Sequence, residues 1–278
     1  MKILTLEEAI EKVPAINTDR PSPRCSNRYN FVSTRNIVEK ALETGWKITD
    51  TKGAHIRSNK SLYGMHEVRM IHESQLSRDI TSVEGFPTVN LINSHDCSKK
   101  FTMAIGYYRL ICSNGLIAPA GLANTVNSRH FFNSEKMDIL TQSVDKVFDQ
   151  YSEITNQIAD FKNRELSQDE RADLASYAKR IRYRFRATPP AKLDHTLLLR
   201  PRRPLDEAKD LWTVFNVIQE NTMQGGDGLG KGIRRFQDDL RFNTEMWEGA
   251  AKALTFSGSK LKSELDTLFV KKTKESNN

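Results

Sequence analysis

The sequence predicts an α+β protein: an antiparallel β-meander packed on a long helix, followed by a helical C-terminal extension. Three observations predict it. Between Leu62 and Ile111, apolar residues alternate in short runs separated by turn-forming residues, the period of half-buried strands. Between Glu135 and Phe161 the apolar residues are Met137, Leu140, Val144, Val147, Tyr151, Ile154, Ile158 and Phe161, at alternating spacings of 3 and 4. That is a helical, heptad-like seam. Beyond Ser167 the strong patterns are all helical. The expected organisation is an α+β core over residues 1–165, a helical basic extension over 166–270 and a disordered tail over 271–278.

Each element has a local reason. Leu4–Val13 reads as a short helix with Thr5 at the N-cap and Glu8 completing a capping box. Residues 14–27 form a Pro/Ser-rich loop, and Tyr29–Val32 reads as a short strand. Thr34 is expected to cap an amphipathic helix carrying Ile37, Val38, Ala41 and Leu42, which Gly45 stops. Trp46–Thr49 starts the β-block. Leu62–Glu73, Thr88–Asn93 and Phe101–Ile111 continue it, with Ser94–Lys99 as a turn. The long helix then either crosses the sheet or packs on another long helix, in this chain or in a second subunit. Ser167 and Glu170 form a second capping box. A helix over Leu205–Met223 ends at Gly225–Gly226, a glycine-rich loop runs to Gly232, and Thr244–Leu254 is the last helix expected.

Composition narrows the function. The chain has 278 residues, 38% hydrophobic and 28% charged, with three cysteines and no CxxC pair. These values argue against wholesale disorder and against a disulfide framework. No apolar run approaches the ~18 residues of a membrane-spanning helix. The N-terminus has acids within its apolar stretch, unlike a signal peptide. The expectation is a reduced, soluble, cytoplasmic protein, with no membrane partner.

The net charge of +7 is concentrated. Residues 179–203 hold nine basic residues and one acid, Asp194, a net of +8, so the rest of the chain nets −1. The basic residues are Lys179, Arg180, Arg182, Arg184, Arg186, Lys192, Arg200, Arg202 and Arg203, interleaved with Tyr183 and Phe185. Arginines alternating with aromatics suit a phosphate track with rings available for base stacking. The competing reading is a solvated face whose arginines pair with acids elsewhere in the fold. The loop Gly225–Gly232 matches GxxxxGK, but Gly232 stands where a P-loop needs Ser or Thr, and a helix precedes it instead of a strand. A hinge, or a backbone contact to nucleic-acid phosphate, fits it better, with Lys231, Arg234 and Arg235 as secondary contacts.

Asn93, Ser94, His95 and Asp96 are the best residues for chemistry, with Cys112 later in the chain. A Cys–His pair or a metal site needs these types. However, the six histidines are scattered, and Asn, Ser and Asp are ordinary in turns. No catalytic residue, metal ligand set or cofactor is assigned.

The run from Asn93 to Leu116 resembles the signature of a phage, prophage and plasmid family, the domain of unknown function 932. The matching positions are Asn93, Ser94, His95, Asp96, Gly106, Arg109, Cys112, Ser113, Asn114, Gly115 and Leu116. Cys97 stands where the signature has Gly. Upstream, Ser26, Arg28, Tyr29 and Thr34 fit the family's entry motif. Downstream, Pro201, Arg202, Arg203, Asp210, Leu211, Trp212, Gln219, Glu220, Asn221, Gly225 and Gly226 are similar to its second block. The resemblance runs from about residue 25 to 250 and implies a mobile-element protein of a bacterial cytoplasm without agreed catalytic residues.

The order of strands followed by a long helix also resembles the core of phage single-strand annealing proteins. The functional expectation is therefore a non-enzymatic, oligomeric protein that binds single-stranded DNA and promotes annealing in recombination. Its contacts would be Lys179, Arg180, Arg182, Tyr183, Arg184, Phe185, Arg186, Arg200, Arg202 and Arg203, with Lys231, Arg234 and Arg235 as secondary contacts. A protein that counters host defence by binding a host defence or replication protein is the alternative. A metal-dependent hydrolase or nuclease centred on His95, Asp96 and Cys112 ranks third.

Overall fold

The computed structural model describes residues 2–27, 29–54, 61–76, 85–99, 101–109, 115–117, 153–184, 194–226, 228–233 and 236–276. The fold is α+β. The chain divides into two compact units, Met1–Ser152 and Glu153–Asn278, so the division falls before residue 165.

Unit 1 is built on five antiparallel strands: β1 (Trp46–Gly53), β2 (His66–His72), β3 (Gly85–Asn93), β4 (Thr102–Arg109) and β5 (Gly115–Ile117), in sheet order 1-2-3-4-5. The meander is the expected one. Register follows from the apolar face: Val68 faces Leu91, Met70 faces Val89, and Leu91 faces Met103. These side chains join Trp46, Ile48 and Phe101 in a core closed by α1 (Leu6–Lys12) and α2 (Thr34–Glu43). A one-residue slip would turn all of them to the other side of the sheet, so burial holds the register. Thr5 and Glu8 cap α1 with the capping box that their spacing predicts.

Two details correct the sequence reading. Residues 29–33 form no strand. The N-cap of α2 is Ser33, whose hydroxyl accepts from the Asn36 N–H; Thr34 is the first helical residue and is fully buried.

The opposite face of the sheet is also buried and carries charge. Arg69 lies 3.4 Å from Glu67 and 3.6 Å from Asp50, and its Nε donates to the Asn90 amide oxygen at 3.4 Å. Charges at this depth persist only when paired, because an isolated buried ion loses its hydration.

Unit 2 is helical: α3 (residues 153–163), α4 (Gln168–Tyr183), α5 (Leu211–Gln224), α6 (Phe236–Thr255) and α7 (Gly258–Ser276). Ile154, Ile158 and Phe161 of α3 are buried, in agreement with the end of the apolar seam; residues 118–152 lie outside the described residues. α5 is buried from Leu211 to Thr222. Around it Phe161, Phe215 and Trp212 each place a ring within 6.5 Å of Trp247. Burying side chains of this size contributes roughly 2–3 kcal/mol each.

Three boundaries change. α5 begins at Leu211, capped by Asp210, after a short 3-10 turn at Pro204–Asp206. α6 is longer than Thr244–Leu254. Residues 271–276, read from sequence as disordered tail, belong to α7, which buries Leu261, Leu265 and Leu268.

Candidate functional site

The family-like motif of unit 1 forms a buried polar cluster. Asn93, Ser94 and His95, which end β3 and open the following turn, are fully buried, as are Thr34 and His66. Hydrogen bonds run through them in one direction. The Asn93 amide donates to the Val32 carbonyl and to Thr34 Oγ1, each at 3.0 Å. Thr34 Oγ1 lies 2.8 Å from His66 Nε2, and His66 Nδ1 lies 2.9 Å from the Gly64 carbonyl. A carbonyl only accepts, so Nδ1 carries the proton and Nε2 accepts from Thr34. Burial pushes the His66 imidazole down to about 4, against a smaller opposing pull from the Gly64 carbonyl. The ring is neutral at pH 7.

His95 Nε2 donates to the Ala15 carbonyl at 3.0 Å, and its ring packs against Phe31 and His66. Asp96 faces outward and accepts from the Ser98 N–H. The motif thus locks the loop from Pro14 to Ser33 onto the end of β3. Among the described residues no three His, Cys, Asp or Glu groups are arranged to hold a metal ion. Arg109 ends β4 opposite Gly85, and Gly115 opens β5. Arg28, Cys112, Ser113 and Asn114 lie outside the described residues.

In unit 2 the described residues of the basic stretch do not form one face. Lys179, Arg180, Arg182 and Tyr183 lie on α4, and Arg184 is its C-cap. Arg184 turns inward: its two terminal nitrogens reach the two Glu245 oxygens at 2.9 and 2.5 Å, with both side chains buried. Burial pushes the Glu245 carboxyl up, and the bond from Arg184 only partly offsets it. Arg180 pairs with Asp266 and sits 4.1 Å from the centre of the Phe269 ring, whose other neighbour is Arg184 at 4.7 Å. Arg203 holds Glu220 through both terminal nitrogens and reaches Asp206 at 2.9 Å. Its hydrogen bonds to Glu220 hold the guanidinium above its ordinary range. Tyr183 is buried, at 6% exposure, and is not presented for stacking. Phe185, Arg186, Lys192, Arg234 and Arg235 lie outside the described residues.

A second group gathers at the glycine-rich loop. Arg202 donates to Asn221 Oδ1 at 2.7 Å, Gln224 Oε1 at 3.1 Å and the Gly225 carbonyl at 2.7 Å. These acceptors are all neutral. Asn221 is buried and donates to the carbonyls of Leu198 and Arg200, so it ties the segment carrying Arg200 and Arg202 to the end of α5. Gly225 bridges to Lys231 and closes the loop. Arg182 donates to the Lys231 carbonyl, which brings a third arginine to the same place. Gly225 has φ +69, and a Cβ there would lie 2.2 Å from the Gly230 carbonyl oxygen; only glycine permits this crossing. Arg200, Arg202 and Lys231 are exposed, and among the described residues no carboxylate forms an ion pair with them.

Sequence reasoning missed the partners: Glu220, Glu245, Asp266, Phe269 and Asn221 as a tether. One signal was available, because Glu220 is the one charged residue between Leu211 and Gln224, a helix with a strong apolar pattern. A position of that kind calls for a buried partner.

The fold and site define an α+β protein that joins a meander unit with a buried His–Thr–Asn relay to a helical unit built around an arginine-clamped glycine loop. The chain belongs to the family described as a domain of unknown function (DUF932), whose model matches residues 24–247. Two proteins of Escherichia coli (strain K12) are similar to it over nearly their whole length. UPF0380 protein YafZ is 25% identical over 268 residues, covering 91% of this chain and 92% of the relative. UPF0380 protein YfjQ is 24% identical over 265 residues, with the same coverage. No solved structure matches the chain. No described helix is long and apolar enough to cross a membrane.

Proposed function

We propose that this protein binds single-stranded DNA through the cationic rim of the Gly225–Gly232 loop, formed by Arg182, Arg200, Arg202 and Lys231. One observation carries the reading. Within the described part of the +8 stretch, acids occupy Arg180, Arg184 and Arg203, while the exposed Arg200 and Arg202, like Lys231, have no acidic partner among the described residues, and Arg202 donates to Gly225, which bridges to Lys231. Exposed cations gathered on one surface attract a phosphate backbone and release its counterions. Asn221 and the glycine crossing hold them in place before any ligand arrives, which reduces the ordering cost of binding.

The test is fluorescence anisotropy with a labelled single-stranded oligonucleotide across a salt series. Arg200→Ala combined with Lys231→Ala removes two exposed charges and no described side-chain contact. Binding is expected to weaken roughly tenfold or more at about 0.1 M salt, and the log–log salt slope to fall by about 1.4. Unchanged affinity and slope would remove the site. Oligomerisation and annealing are further parts of the same proposal, supported by the apolar seam from Met137 to Phe161 in the sequence. Size-exclusion chromatography with and without the oligonucleotide, followed by a strand-annealing assay, tests them.

A further inference from the structure

Cys25 and Cys97 are 72 positions apart, with Cα atoms separated by 6.1 Å and their sulfur atoms at bonding distance. The Cα separation lies within the range a disulfide spans. Cys97 is exposed and Cys25 half-buried. Cys97 is also the one non-glycine residue with a left-handed backbone among the described residues, at φ +66. A side chain there costs stability that glycine would not, so the position carries a cysteine at the expense of its turn.

The pair joins two segments that already touch. The Ser22 N–H donates to the His95 carbonyl at 2.7 Å. Tyr29 Oη donates to the Ser94 carbonyl at 2.8 Å, and Cys25 Sγ lies 3.5 Å from the His95 carbonyl. His95, Asn93, Thr34 and His66 are all buried at this junction.

We infer that Cys25 and Cys97 are a reversible thiol–disulfide latch that fastens the loop Pro14–Ser33 to the turn Ser94–Lys99 above the buried polar cluster, set by exchange with a small-molecule disulfide such as oxidised glutathione. The exposed Cys97 thiolate attacks one sulfur of that disulfide, forming a mixed disulfide and releasing one small thiolate. The Cys25 thiolate then attacks the Cys97 sulfur, the protein disulfide forms, and the second small thiolate leaves. Two protein thiols lose two electrons, the small disulfide gains them, and the two protons pass to the departing thiolates. Exchange through an exposed sulfur allows the latch to follow the surrounding redox poise.

The full-length protein is equilibrated in reduced and oxidised glutathione at set ratios, acid-quenched, alkylated and mapped by peptide mass. A Cys25–Cys97 peptide is expected to form while Cys112 stays alkylatable. The oxidised protein is expected to melt about 10 °C higher than the reduced one, with proteolysis within residues 14–33 slowed severalfold. Cys25→Ser and Cys97→Gly abolish both differences. In reducing buffer, Cys97→Gly melts at or above the wild type, because glycine accepts φ +66. Free alkylation of Cys25 and Cys97 at every ratio overturns the proposal. So does pairing of either with Cys112, or identical melting and proteolysis of the oxidised and reduced wild type.

Discussion

Thr34 shows how burial reassigns a side chain. From its neighbours alone it is a helix cap; in the fold Ser33 caps, and the Thr34 hydroxyl links Asn93 to His66. The relay requires a neutral imidazole. Because burial lowers the folded-state His66 value from 6.5 to about 4, the unfolded chain takes up the proton first as pH falls. The stabilisation is fully present above about pH 6.5 and is lost as pH falls toward about 4. It amounts to roughly 3 kcal/mol across the window. Urea unfolding followed by Trp46 fluorescence at pH 7.5 and 5 is expected to show roughly 2 kcal/mol of this loss, and His66→Gln to flatten it. Arg184 belongs to the same scale. Arg184→Ala leaves Glu245 buried without its partner and is expected to cost about 3–5 kcal/mol in denaturant unfolding. Arg184→Leu with Glu245→Leu should recover most of that loss.

At the scale of elements, the glycine loop crosses itself too closely at Gly225 to admit a side chain. Gly225→Ala drives a Cβ into the Gly230 carbonyl oxygen, whereas a Cβ at Gly226 meets nothing within 4 Å. Both glycines have positive φ. Gly225→Ala is expected to cost about 2 kcal/mol or more, and Gly226→Ala about 1 kcal/mol, in thermal melts. Hydrogen exchange at Leu229 should rise only in the first. α7 makes a complementary point. Its polar end, KKTKES, reads with the following residues as disordered tail because composition there is charged. The stripe Leu261, Leu265 and Leu268, however, has helical spacing and is buried. Lys252–Glu264 and Lys272–Glu248 also fasten α7 to α6. Leu265→Ala is expected to cost about 2–5 kcal/mol, while Val270→Ala, at a half-exposed position, should cost little.

At the scale of the whole molecule, the two units carry separate reporters. Trp46 lies in unit 1, and Trp212 and Trp247 in unit 2. Denaturant unfolding is therefore expected to show His66→Gln shifting the Trp46 signal and Arg184→Ala shifting that of Trp212 and Trp247. A single common shift in both variants would mean that the units unfold together. The charge distribution also changes meaning at this scale. The described part of a +8 stretch read as one phosphate track divides into arginines paired with acids and Arg202, which donates to the Gly225 carbonyl.

Much of the fold was legible in the sequence, because its signals are short-ranged. The strand alternation, the capping boxes Thr5/Glu8 and Ser167/Glu170, and the glycine stop after α5 each act within about four residues. The family resemblance followed from the same linear runs. What only the tertiary structure decided was partnership. Arg184 meets Glu245 across 61 residues, Arg203 meets Glu220 across 17, and Arg180 meets Asp266 across 86. No periodicity encodes such distances. An arginine in a basic run reads the same whether it faces solvent or a carboxylate, and only chain folding determines which charges lose their water. The sequence by itself therefore determined the elements and their order. The tertiary structure decided which of its charges, thiols and hydroxyls remain available for a function.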